Sequence, residues 1–173
     1  MKRRTLHDGS VGSFGLEEAQ LPSGKRVTLE ILRHPGAAAV VPFMDDERIL
    51  LLHQYRHAPG GTIWEVPAGK LGPGEDPEAC AARELEEETG YRAGRIERTG
   101  VILTSPGFTD ERIHLFCAYD LQPGTLAHEH AEHIEIHEVR FSEALDMIER
   151  GEIIDAKSIV ALYHVARRRD SSR

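Results

Sequence analysis

Cysteine, tryptophan and aromatic side chains are what this sequence has least of: two Cys, one Trp and 6% aromatics in 173 residues. Cys80 falls in an expected helix and Cys117 in an expected strand, so the pair builds no disulfide framework and reduced, buried thiols are expected. No window approaches the roughly 18 apolar residues of a membrane-spanning helix. The opening MKRRTLHDGS carries charges with no apolar run behind them, unlike a secretory signal, and a cytoplasmic location is the resulting expectation. Positive charge is short as well, with 21 Lys and Arg against 29 Asp and Glu, a formal net charge of −8. Such a balance disfavours a nucleic-acid backbone as partner and suits a protein that approaches an anionic substrate through a metal. Repeats, linkers and low-complexity segments are absent. What is there, 40% hydrophobic and 29% charged residues, is enough for one soluble domain with a sizeable core.

The patterning gives strands, a helix, strands, then helices. Residues 1 to about 13 are polar with Gly9, Ser10, Gly12 and Ser13, and loose structure is expected there. Phe14–Gln20 reads as a short strand ended by the turn signal Pro22-Ser23-Gly24. In Arg26–Arg33 the alternation of Val27, Leu29 and Ile31 with Thr28, Glu30 and Leu32 predicts an antiparallel strand. Ala37–Phe43 is apolar enough for a buried strand with Pro42 at its end. The turn at Asp45-Asp46-Glu47 makes Arg48–His53 its expected hairpin partner. Ile63–Val66, Arg95–Leu103, Arg112–Leu121 and Ile134–Phe141 complete the expected strands. A helix through Arg150, capped by Ser142 with Glu143, and a second over Lys157–Arg168 are expected to follow. The second would bury Ile159, Leu162, Tyr163 and Ala166, ahead of a frayed tail. The order corresponds to an α+β sandwich with helices on a mixed sheet.

The chemistry concentrates in Gly69–Tyr91, GKLGPGEDPEACAARELEEETGY. No Gly or Pro interrupts Glu78–Thr89, and residues three and four apart share a helix face. Glu84, Glu87 and Glu88 therefore form one stripe of mutually repelling carboxylates. Such a stripe is either a solvated surface or a seat for a hard cation, magnesium rather than zinc or copper, because its ligands are all oxygen.

The context decides between these. Gly69, Glu75, Arg83-Glu84-Leu85, Glu87-Glu88 and Gly90-Tyr91 stand at the spacing of the Nudix hydrolase signature, nine positions in 23 residues. Tyr91 occupies a place where that pattern usually has an aliphatic residue. The chain thus resembles the Nudix hydrolases, and the resemblance implies an α/β/α sandwich that cleaves nucleoside diphosphates linked to another group. It also implies that Glu84, Glu87 and Glu88, with the carbonyl of Ala68, hold Mg²⁺, for which Mn²⁺ is an expected substitute. Glu87 and Arg83 join the catalytic set, Arg83 by orienting the carboxylates. Glu75 pairs with metal or caps the helix, and Gly90 stops it.

Two further stretches resemble the ADP-ribose pyrophosphatase branch: Gln54-Tyr55-Arg56 with Trp64–Gly69, and Ser105–Glu111, whose Pro106 lies sixteen residues beyond Gly90. Each has a plainer reading, a strand arginine and a turn proline. The likeness makes Arg56 a diphosphate clamp. It assigns substrate contacts to Arg33, Glu30 and Pro106, with Phe14 or Trp64 as a stacking surface unless Trp64 belongs to the core. The branch uses a glutamate ahead of the last core strand as base, here Glu132, or Glu129 nearby. The same loop, with His128, His130 and His133, and His137 after it, offers a rival zinc or nickel site or simply a solvated loop. Residues 1–35 are expected to serve dimerisation or recognition ahead of a catalytic domain at 36–173. The expected substrate is a nucleoside diphosphate sugar, ADP-ribose first, then GDP-mannose, FAD or a dinucleotide. A nucleotide sensor without activity is the competitor from another class.

Overall fold

The computed structural model describes residues 2–127 and 133–171. In chain order the elements are β1 (Arg3–Asp8), β2 (Ser13–Gln20), β3 (Arg26–Arg33), β4 (Ala37–Pro42), β5 (Arg48–Arg56), β6 (Gly61–Glu65) and β7 (Ala68–Lys70). Then follow α1 (Pro77–Thr89), β8 (Tyr91–Arg92), β9 (Arg95–Leu103), β10 (Arg112–Tyr119), β11 (Gln122–Pro123), β12 (Ile134–Arg140), α2 (Phe141–Glu149) and α3 (Ala156–Ser171). They form the mixed α+β sandwich expected from the sequence.

At its centre lies a four-stranded sheet in the order β7-β4-β10-β9. β4 is parallel to β10 and antiparallel to β7. Every residue of β4 is buried, the pattern of a strand covered on both faces. Ala37, Ala39 and Val41 join a core that also contains Leu115, Ala144, Ala161, Leu162 and Val165, under α2 and α3. Ala38 and Val40 turn the other way, to Cys80, Ala81 and Leu85 of α1 and to Phe116 and Ala118. A sheet between helices results, with α1 fixed against one face.

A second sheet, β12-β5-β6, is antiparallel, and a third, β1-β2-β3, stands ahead of the body. Five expectations are corrected here. The segment expected to be loose forms β1, because Arg3, Arg4 and Thr5 pair with Glu17, Leu16 and Gly15. The β4–β5 hairpin does not continue past its turn: one bridge, Phe43–Ile49, joins the two strands, and they then enter different sheets. Both edges of β4 are taken by β7 and β10, partners that local turn signals do not reveal. Ser142 does not cap α2, which starts at Phe141 after Arg140 with no side-chain cap bond. In α3 the buried set is Ser158, Ala161, Leu162 and Val165, while Tyr163 is 41% exposed and donates to Glu149 at 2.5 Å. Instead of fraying after Arg168, α3 runs on to Ser171.

Candidate active site

α1 is set by its ends. The Asp76 side chain accepts the Glu78 N–H at 2.9 Å, and Pro77 occupies the first turn, where a missing N–H costs nothing. Gly90 takes the left-handed conformation at φ 74° and donates to the Glu86 carbonyl at 2.8 Å, which stops the helix. The cap is therefore Asp76, and Glu75 has other partners. Its carboxylate accepts the Gly72 N–H at 2.7 Å and two bonds from Arg83, at 2.9 and 3.0 Å. The Arg83 guanidinium and the Gly72 N–H hold the Glu75 carboxyl down at about 2.

Arg83 is the hub of the cluster. Its remaining nitrogen donates to Glu84 at 2.6 Å and Glu87 at 2.9 Å, and its fork also reaches the Lys70 carbonyl at 3.2 Å. One cation thus gathers three carboxylates and ties them to β7. These partners raise its own pKa further above the ordinary arginine value, against the opposing effect of desolvation. The three carboxylates of the stripe grade from core to solvent. Glu88 is 3% exposed and accepts the Ala68 N–H at 2.9 Å, the kind of bond a buried carboxylate requires. Glu84 is largely buried and Glu87 more open.

Gly69 faces them. A Cβ placed there would stand 1.9 Å from Glu84 Oε1, so the absence of a side chain is what lets this carboxylate lie against β7. Beneath the loop, the Cys80 thiol approaches the Gly69 and Lys70 carbonyls at 3.6 and 3.5 Å, and burial pushes it up to about 12. Gly69, Ala68, Glu84, Glu87, Glu88 and Arg83 are thereby one constellation, all oxygen in its donor atoms, which fits a hard divalent cation.

The other expected site residues among those described have different partners. Arg56 donates twice to Glu65, at 3.0 and 2.7 Å, and Glu65 is 4% exposed. Lys157 reaches Glu65 and Asp155, both at 2.9 Å, and Asp155 also accepts the Ser158 hydroxyl at 2.6 Å. Sequence reasoning missed this network. Its only signal was Asp155 three residues before Ser158, a capping pattern at the start of α3. Arg33 holds Glu17 with two bonds, at 2.9 and 2.5 Å, and Asp110 at 3.0 Å. The His34 N–H also goes to Asp110, and the Leu32 N–H to the Phe108 carbonyl. β3 and the Ser105–Glu111 loop, two regions singled out separately in the sequence, are therefore bonded to each other. Pro106 is exposed at the tip of that loop, and Glu30 is exposed on β3 opposite Leu16. Phe14 is half-buried, and Trp64 packs against the main core. Glu129 and Glu132, with His128 and His130, lie outside the described residues.

Comparison with known proteins gives the family of the chain. A profile described as the NUDIX domain matches residues 32–162, more than half of the chain. An ADP-ribose pyrophosphatase of Bacillus subtilis is 40% identical over 165 residues, 94% of this chain and 89% of its own length. A methanol dehydrogenase activator of Bacillus methanolicus is 38% identical over 167 residues, 95% and 90% of the two chains. A GDP-mannose pyrophosphatase of Cronobacter sakazakii is 36% identical over 154 residues, 79% and 80%. The crystal structure of an ADP compounds hydrolase superimposes with a TM-score of 0.85 over 99% of this chain and 94% of that one. At 20% identity, this shows a shared fold.

Proposed function

This chain belongs to the Nudix family as a pyrophosphohydrolase, and from that premise we propose that it hydrolyses ADP-ribose to AMP and ribose 5-phosphate. The observation that carries the reading is the complete carboxylate set, Glu84, Glu87 and Glu88 gathered by Arg83 against Gly69, in a chain 40% identical to an ADP-ribose pyrophosphatase. A nucleotide sensor would be free to lose those carboxylates, and none is lost.

Nudix hydrolases generally use a divalent metal. In this reading the ion is Mg²⁺, with Mn²⁺ as substitute, held by Glu84, Glu87, Glu88 and the Ala68 carbonyl. When bound it supplies charge neutralisation at the diphosphate and a more acidic water. The chain's own residues supply position. Arg83 orients Glu84 and Glu87 so that neither swings to solvent. A glutamate of the loop before β12, Glu132 or Glu129, accepts the proton of the attacking water. The water oxygen bonds to one phosphorus as the bridging P–O bond breaks. Arg56, carried at the end of β5 and oriented by Glu65, binds phosphate oxygens through its fork.

The bonded surface of β3 and the Ser105–Glu111 loop, with Arg33, Glu30 and Pro106, selects the nucleoside and sugar. Residues 1–35 act as a recognition and dimerisation segment ahead of the catalytic domain at 36–173. Supporting this, Leu6, Val11, Leu21 and Leu29 are all exposed there, apolar side chains that a partner subunit would cover. The setting proposed is a cytoplasmic homodimer acting on small nucleotides, with no nucleic acid or membrane partner.

The GDP-mannose pyrophosphatase relative favours a second reading with the same machinery and another leaving group. A panel of ADP-ribose, GDP-mannose, FAD and diadenosine polyphosphates, assayed with Mg²⁺, separates them. ADP-ribose is expected to give the highest kcat/KM, and a lead for GDP-mannose overturns the first reading in favour of the second.

A further inference from the structure

The chain carries a second cluster of ligand-type side chains on the β12-β5-β6 sheet, built from elements other than those of the glutamate site. His53 of β5 stands directly opposite Glu135 of β12 on one side and Trp64 of β6 on the other. Two residues along β12, His137 projects to the same face as Glu135. His53 Nδ1 is 3.8 Å from a Glu135 carboxylate oxygen, and His137 Nε2 is 3.5 Å from the same oxygen. All three ligand atoms lie within 4.8 Å of one another.

Three observations separate this cluster from an ordinary polar patch. First, a tetrahedral zinc-class ion with bonds of about 2.0–2.1 Å sets neighbouring donors about 3.3–3.4 Å apart, so modest side-chain rotations bring the three into place. Second, His137 Nε2 is shut off from solvent without a hydrogen-bond partner among the described residues. The ring is only partly covered, so a buried nitrogen facing a carboxylate is specific to this orientation. Third, both imidazoles are set by Trp64. Its ring stacks on His53 at 4.5 Å and meets the edge of His137 at 4.9 Å, which limits their freedom before any ligand arrives.

We propose that His53, Glu135 and His137 form a three-ligand site for a zinc-class divalent ion, separate from the glutamate cluster, that ties β12 to β5. Two imidazole nitrogens and one carboxylate select late first-row ions over magnesium, whereas the all-oxygen glutamate site has the opposite preference. The two sites therefore sort different metals on one chain. The ion would pin the first residues of β12, the strand that follows the loop with Glu129 and Glu132.

Trp64 is the only tryptophan and lies against two of the three ligands, so it reports directly. The untagged protein, in excess Mg²⁺, is titrated with Ni²⁺ while tryptophan emission is followed, and Zn²⁺ is added in a parallel thermal melt. Saturable quenching by one equivalent and a Zn²⁺-dependent rise in Tm are expected, both surviving in Glu88→Gln. His137→Gln should weaken Ni²⁺ binding by at least about tenfold. Glu135→Gln leaves both rings against Trp64 and should do the same, which guards against a packing defect in the histidine variant. Quenching that never saturates, or that is unchanged in both variants, overturns the proposal and places the bound ions elsewhere on the chain.

Discussion

Gly69 has no side chain, and that absence shapes the site. The space where its Cβ would stand is filled by the Glu84 carboxylate, 1.9 Å away. The obstacle is the far end of a flexible side chain rather than backbone, so Gly69→Ala can be relieved by turning Glu84 aside. Folding should change by less than about 1 kcal/mol. The Mg²⁺ concentration needed for half-maximal activity should rise by at least about tenfold, the scale on which misplaced ligand-orienting groups act. Denaturant melts and metal titrations of the variant check the two halves separately. A variant that unfolds instead would mean that Glu84 is held too rigidly by Arg83 to move. The sequence marks Gly69 as one position of a pattern. That the position exists to admit a carboxylate is visible only when β7 lies beside α1.

Between elements, the Glu75–Arg83 clamp joins the loop after β7 to the middle of α1. The clamp was readable only in part. Gly90 announces the end of α1 by local chemistry, whereas at its start Glu75 was the expected cap and Asp76, followed by Pro77, fills that role. Arg83 was expected to orient the glutamates, and it bonds two of them. Its bidentate grip on Glu75 was not foreseen, because Glu75 stands eight residues earlier and a helix cap was the nearer explanation. The pH dependence follows from the carboxyl held at about 2 against its ordinary 4.5. A depressed folded-state pKa makes the unfolded chain the better proton acceptor. The stabilisation is therefore complete above about 4.5 and fades as pH falls toward 2. Glu75→Gln should cost about 1–2 kcal/mol at neutral pH, measured by urea unfolding. The gap from the parent protein should close through that acidic window, and a gap constant with pH would mean that the clamp contributes through shape rather than charge.

Over the whole molecule, the fold class was legible because most element boundaries depend on short-range signals: β3 runs over the same residues that its alternation predicts, and β9 over the span expected of it. Pairing was less legible. β4 and β5 look like a hairpin and part into different sheets, since what decides their partners is burial on both faces of β4. β1 reads as loose and becomes a strand, since its order comes from β2 rather than from its own polar residues. The same division holds for function. The glutamate box is local and was visible in the sequence, whereas the joining of β3 to the Ser105–Glu111 loop through Arg33 and Asp110 spans 77 positions and was not. In the proposed reading the molecule combines a helix that holds the metal with a separate surface that selects the substrate. The most direct measurement compares the parent protein with Glu88→Gln on ADP-ribose and Mg²⁺, with products separated and quantified. The parent should release AMP and ribose 5-phosphate in equal amounts, and the variant should keep its fold and lose about a thousandfold or more in turnover. Unchanged turnover in the variant, or a parent enzyme that leaves ADP-ribose intact, would contradict the account.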